Sequence, residues 1–231
     1  MKLLAFETAT EACSVALWID GTVIERFEIA PRRHAELSLP WAQHLLEEAG
    51  ITRSQLDGIA VGRGPGAFTG VRLAIALAQG IAMALDKPVV AISTLAALAM
   101  QSAGERTLAA IDARMGEVYV GAFERHGDAQ VATSVEAVVR PGAATVPQGG
   151  GSWVGVGTGF AAVEGALAER LRLQLASIGG TALPHAADVA RLAAASFLRG
   201  EAVAPDRIEP AYLRNDVALT LVQQAANRAA R

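Results

Sequence analysis

Cysteine occurs once in 231 residues, at Cys13, so no internal disulfide framework holds this chain together. Its neighbours alternate like a strand (CSVAL), which makes it a buried, reduced thiol rather than a nucleophile and suits the cytoplasm. Histidine is nearly as scarce: His34 and His44 stand ten apart and His126 and His185 stand alone. No H-x-x-x-H or H-E-x-x-H pattern occurs, so no metal site is expected. Charge is thin as well, at 19% of residues with a net charge of -3. That excludes the general basic field that drives nucleic-acid binding; if RNA matters, another chain holds most of it. Long apolar runs are missing too. The longest, residues 73–85, is too short to span a hydrocarbon core and is bracketed by Arg72 and Asp86. Only residues 3–6 are apolar before Glu7, too few for a signal peptide. There is no G-x-S-x-G elbow and no Walker spacing, so hydrolase chemistry and a P-loop are both unsupported, and no catalytic residue is assigned.

What is plentiful is apolar surface, 52% of residues, more than a chain of this size readily hides, and a protein partner is expected. KLLAFE, CSVALWI and VIERFEI read as a three-strand meander, with Asp20-Gly21 as a tight turn. An amphipathic helix follows over 34–49, whose Pro40 is tolerable only near the first turn. Then come a strand at LDGIAVG, a helix over 68–85, a strand at KPVVAIS and a helix from Thr94 to about Ala103. The second half opens the same way. Ala5-Phe6-Glu7 falls on Ala110-Ile111-Asp112 and Val15 on Val120, a constant offset of 105 that marks a duplicated unit. A third strand is expected around 131–139, a strand at WVGVG, a helix from near Phe160 and a last helix in PHAADVARLAAASFLRG. The expected organisation is a first lobe at 1–103, a smaller second lobe at 104–205, and a segment at 206–231 that packs back on the first.

Two lobes that each open with a meander ending in an acid resemble the actin-like, sugar-kinase and Hsp70-type α/β fold. In that fold, strand-end carboxylates organise the metal of Mg-ATP, and hairpin turns offer N–H groups to phosphate. Glu7 and Asp112 take those places. The turns are ill suited to holding phosphate, since TATEA puts Glu11 where phosphate would lie, and ARMGE brings in Met115 and Glu117 without a lysine. Glu7, Glu11 and Asp112 therefore read as a degenerate nucleotide site whose acids cap turns. An ATPase or small-molecule kinase using Glu7 and Asp112 stays open as the competing reading.

The stretch GRGPGAFTGVR, residues 62–72, could bind an anion at a helix start, but a strand-to-helix turn explains more of its residues. The helix that follows is apolar or small on every face, with Arg72 and Gln79 the main exceptions. Such a helix must be covered on more than one side, by its own lobe alone or by lobe and partner together.

FETAT with ACSVAL, GRGPGAFTGVR, IDARMGEVYVGAF and PAYLRNDVA, in that order and spread over almost the whole chain, resemble the TsaB (YeaZ) family of bacterial tRNA threonylcarbamoyladenosine synthesis. The resemblance implies a non-catalytic subunit that pairs with the transferase TsaD, with the ATPase TsaE joining the pair. Together they place a threonylcarbamoyl group on N6 of adenosine 37 of tRNAs reading ANN codons. It implies no intrinsic cofactor, with ATP or ADP and metal on partner subunits or at their interface, tRNA held mainly by the complex, and homodimers through the same face when TsaD is absent. Docking uses the two first-lobe helices, so Leu37, Trp41 and Leu45 with Phe68, Arg72, Ile75 and Gln79 are the expected partner-binding residues.

Overall fold

The computed structural model describes residues 1–127, 129–149 and 151–214. β1 (Lys2–Glu7), β2 (Ala12–Ile19) and β3 (Thr22–Ile29) form the antiparallel meander. Asp20 and Gly21 both take positive φ, 47° and 101°, which matches the twist of a two-residue hairpin turn. α1 (His34–Glu48), β4 (Gly58–Gly62), α2 (Phe68–Leu85), β5 (Val89–Ile92) and α3 (Thr94–Ala99) follow. The first sheet runs β3-β2-β1-β4-β5, with β1, β4 and β5 parallel. Pro40 is the seventh residue of α1, just past the first turn in or near which it was expected; it lies on the exposed side, where the helix tolerates its missing N–H.

The second half repeats this plan. β6 (Arg106–Arg114), β7 (Glu117–His126), β8 (Ala129–Ala132), β9 (Ala137–Val139), β10 (Trp153–Val156), α4 (Ala166–Leu171), β11 (Leu175–Gly179) and α5 (Ala186–Leu198) follow in order. The sheet order is β11-β10-β6-β7-β8, with β9 also paired to β7 and β6, β10 and β11 parallel. The strand expected at 131–139 is split into β8 and β9. The helix expected near Phe160 opens as short 3-10 turns and becomes α-helical only at Ala166, and β11 had no counterpart in the sequence pattern. The offset of 105 holds along each strand but not across the pair. Phe6 pairs with Val15, whereas Ile111 pairs with Tyr119, because a bulge between Asp112 and Arg114 and the tight Met115-Gly116 turn move the register by one.

Strand alternation divides the first sheet into two packed faces. Leu4, Phe6, Val15 and Leu17 point toward α1 and α2, while Leu3, Ala5 and Ala16 point the other way. That second face is covered by α5, which its place in the sequence assigned to the second lobe. Its Ala186, Ala187, Ala190, Ala193 and Ala194 are small enough to lie close against Leu3, Ala5 and Ala60. α3 makes the opposite exchange: Leu95 and Leu98 pack on Ala109, Ile111 and Phe123 of the second sheet. Each half thus sends a helix to the other, and α3 and α5 meet where they cross.

Candidate functional site

β4 hands over to α2 through the glycine stretch. A Cβ at Gly70 would overlap the carbonyl oxygen of Thr8, so glycine is what lets the first turn of α2 press on the β1–β2 turn. Ala67 N–H donates to the Ala9 carbonyl (2.7 Å) and Thr8 Oγ1 donates to the Gly70 carbonyl (2.7 Å). The stretch is a close-packing turn.

Glu7 lies beneath it, 1% exposed. Its Oε1 accepts from Ala9 N–H (2.7 Å), its Oε2 accepts from Thr94 Oγ1 (2.8 Å), and Gly62 leaves the room that the carboxyl fills. Burial pushes this carboxyl up to about 7, against the lowering effect of the Ala9 and Thr94 hydrogen bonds. Asp112 caps its own turn, accepting Arg114 N–H (2.7 Å) and pairing with the Arg114 guanidinium (2.8 Å). Glu11 and Asp112 line an interlobe cleft of about 660 Å³, together with Arg32, Arg72, Arg114, Arg214 and Tyr212. Glu7 does not line it. Of the three acids expected to share one site, the cleft brings Glu11 and Asp112 together and leaves Glu7 out, and both strand-end carboxylates are occupied in holding turns.

The expected docking residues divide by helix face. Leu45 is 0% and Ile75 5% exposed, and both belong to the core between α1, α2 and the first sheet. Leu37 is buried against Cys13 and Ala30, with Trp41 half-buried beside it. Gln79 Nε2 donates to the carbonyls of Pro205 (2.9 Å) and Ile208 (3.3 Å). Arg72 donates to Tyr212 Oη (2.5 Å) and lies over the Phe68 ring, 3.3 Å from its centroid. Only Phe68, 69% exposed, stands out toward solvent. Ile75, with Arg72 and Gln79 on the flank beside it, lies on the side of α2 that the chain itself covers.

At 100° per residue the stripe of α2 opposite its buried Val71, Ala74, Ala78 and Ala82 carries Leu73, Ala76, Leu77, Gly80, Met83 and Ala84. Ala76, Gly80, Met83 and Ala84 are exposed and Leu73 and Leu77 half-buried, with no charged residue among them. Met83 is 67% exposed, and nothing lies within 4 Å of a Cβ built on Gly80. α2 has the mean hydropathy of a membrane span, 1.6 over 18 residues, yet its inner stripe is packed on β4 and β1. Because both stripes are apolar, the sequence period had no phase to reveal which of them faces out.

A second constellation had no sequence signal at all. Glu25 Oε2 meets His185 Nδ1 (2.9 Å), Ser14 Oγ donates to Glu25 Oε1 (2.6 Å), and the Ala187 (3.0 Å) and Ala186 (2.8 Å) N–H groups donate to Glu25 and Ser14. The Phe27 ring stacks on His185 at 4.1 Å. Burial raises the Glu25 carboxyl, but hydrogen bonds from His185, Ser14 and Ala187 outweigh it and hold it below the usual range; the bond to Glu25 in turn raises His185. Ser14 is fully buried and bonded to the acid rather than to the imidazole, so these three residues fasten the N-terminus of α5 and do not form a nucleophile–base pair.

Two like-ordered sheets around a common cleft, with turn-capping acids at the first strand of each, define a two-lobed actin-like α/β protein. Residues 27–221 match the family described as TsaD: tRNA N6-adenosine threonylcarbamoyltransferase. The tRNA threonylcarbamoyladenosine biosynthesis protein TsaB of Escherichia coli K12 is 43% identical over 230 residues, covering 94% of this chain and 96% of that protein. Its namesake in Haemophilus influenzae is 37% identical over 229 residues, covering 94% and 95%. The solved structure of YeaZ from Pseudomonas aeruginosa matches with a TM-score of 0.86 at 44% identity, over 92% of this chain and 99% of that one. A second Pseudomonas aeruginosa structure, described as an uncharacterized protein with similarity to peptidase YEAZ, matches with the same figures. The chain belongs to the TsaB (YeaZ) family.

Proposed function

We propose that this chain is a non-catalytic subunit of tRNA threonylcarbamoyladenosine biosynthesis that docks a TsaD-like transferase on the outward stripe of α2. A TsaE-like ATPase joins that pair, and nucleotide, metal and most of the tRNA contact belong to the partners. The observation that carries this reading is the stripe itself: six apolar or small residues in a row on a surface helix, with Gly80 and its alanine neighbours leaving room for close helix approach. The fixed roles of Glu7 and Asp112 as turn caps favour a subunit over an ATPase or kinase built on them. The same stripe offers a self-association surface when the transferase is absent.

Gly80→Arg tests it. The site is open, so the side chain has room, and replacing a helical glycine does not weaken the helix. Placed at the centre of the interface, it is expected to lower transferase affinity by at least about tenfold, read by co-elution in size-exclusion chromatography. Undiminished co-elution of folded Gly80→Arg would remove the outward stripe from the interface.

A further inference from the structure

We infer that residues 203–214 form a clasp that fastens the two lobes across the mouth of the cleft and sets its width. The segment starts as an addition to the first sheet, where Val203 and Val89 exchange both backbone hydrogen bonds at 2.9 Å. It then runs along the flank of α2 from its middle toward its N-terminus. Gln79 holds the carbonyls of Pro205 and Ile208, Ile208 enters the first core, Ala211 N–H donates to the Arg63 carbonyl (2.8 Å), and Tyr212 meets Arg72. Up to this point every anchor belongs to the first lobe.

Arg214 ends the run on the second lobe. Its Nη2 donates to Glu117 Oε2 (2.5 Å) and to the Ala113 carbonyl (3.2 Å), and its Nη1 reaches the Met115 sulfur (3.5 Å). All three partners belong to the β6–β7 hairpin, whose Asp112–Arg114 side lines the cleft opposite the start of α2. Residues 210–214 line the same cleft, so the clasp crosses the opening rather than lying outside it. The Arg214 and Glu117 side chains are only 17% and 30% exposed, which shields the pair from solvent and from salt. The lobes also meet where α3 crosses α5, with Gln101 hydrogen-bonded to Asp188. A joint at the crossing helices and a fastener at the mouth make the cleft a jaw held at a set opening. The inference does not depend on what docks on α2.

Hydrogen exchange on the full chain tests it, comparing wild type with Arg214→Ala and with Glu117→Gln. The second variant removes only a charge and guards against a failure of the first to fold. Releasing the fastener is expected to speed exchange at residues 112–117 and, across the cleft, at 66–72, by at least about tenfold for Arg214→Ala and less for Glu117→Gln. Amides of β1, β4 and α5 keep their wild-type rates. Faster exchange confined to residues 210–214, or no change on either side of the cleft, would show that the segment merely rests on the second lobe and would overturn the clasp.

Discussion

The buried carboxyl of Glu7 makes a sharp prediction about stability and pH. Below pH 4.5 the folded and unfolded chains both carry its proton. Between there and about 7 the folded chain keeps the proton while the unfolded chain has released it, so folding stability falls as pH rises through that window. The slope is about 1.4 kcal/mol per pH unit, and the whole loss, for a carboxyl lifted from 4.5 to about 7, is about 3 kcal/mol. Glu7→Gln removes the titration and keeps the shape. Its carbonyl oxygen can take the Ala9 N–H, and its amide faces Thr94 Oγ1, which already accepts from Gly64 N–H at 3.2 Å. Urea unfolding of both proteins at pH 5, 6, 7 and 8 isolates the effect, since every other titrating group is common to the two. The stability of Glu7→Gln relative to wild type is expected to climb by about 2 kcal/mol from pH 5 to 7 and to level off by pH 8. A difference that stays constant across this range would refute the reasoning, because it would mean that Glu7 ionises in the folded chain as it does in water.

Gly70→Ala places a methyl group onto the Thr8 carbonyl, a backbone atom that cannot swing aside, and is expected to cost about 3 kcal/mol in denaturant unfolding. Ile75→Ala hollows the core between α2 and the first sheet; it should also lose about 3 kcal/mol of stability while leaving transferase affinity within about twofold of wild type. Glu25→Gln is expected to lose about 2 kcal/mol near pH 5.5. Glu25, held low, contributes above its unfolded value and loses its share as pH falls; His185, held high, contributes below 6.5 and loses its share as pH rises through its folded value. The penalty, read from unfolding curves at pH 5.5 and 8, should therefore shrink at the higher pH.

The meander, β4, α2 and β5 were legible because each carries a local signal: Asp20-Gly21 at the hairpin, the glycine turn before Phe68, and Asp86, in left-handed geometry at φ 52°, ending α2. β11 was not, since a five-residue strand exposed along most of its length carries too little pattern to stand out, and the helix expected from near Phe160 was misplaced at its start because 3-10 turns precede α4. Residue spacing also could not say which sheet α5 covers. That choice rests on Ser14 and Glu25, about 170 and 160 residues away, receiving the N–H groups of Ala186 and Ala187. At α2 the ambiguity had a different cause. Phe68, Arg72, Ile75 and Gln79 share a stripe, but a helix with no polar face has two equally apolar sides, and only the packed sheet and the segment at 203–214 show which one is taken. Glu7 ends its strand as an actin-like acid would, and its burial under Gly62 appears only when β1 and β4 lie side by side.

The docking account is tested most directly by methionine oxidation. Met83 stands on the outward stripe of α2 at 67% exposure, and Met115 on the second-lobe hairpin at 81% supplies an internal reference. Mass spectrometry of the chain with and without a TsaD-like transferase then compares the two sulfoxides. The account predicts that Met83 oxidation slows by at least about tenfold in the complex while Met115 changes little. A stable complex in which Met83 oxidises as fast as in the free chain would contradict it.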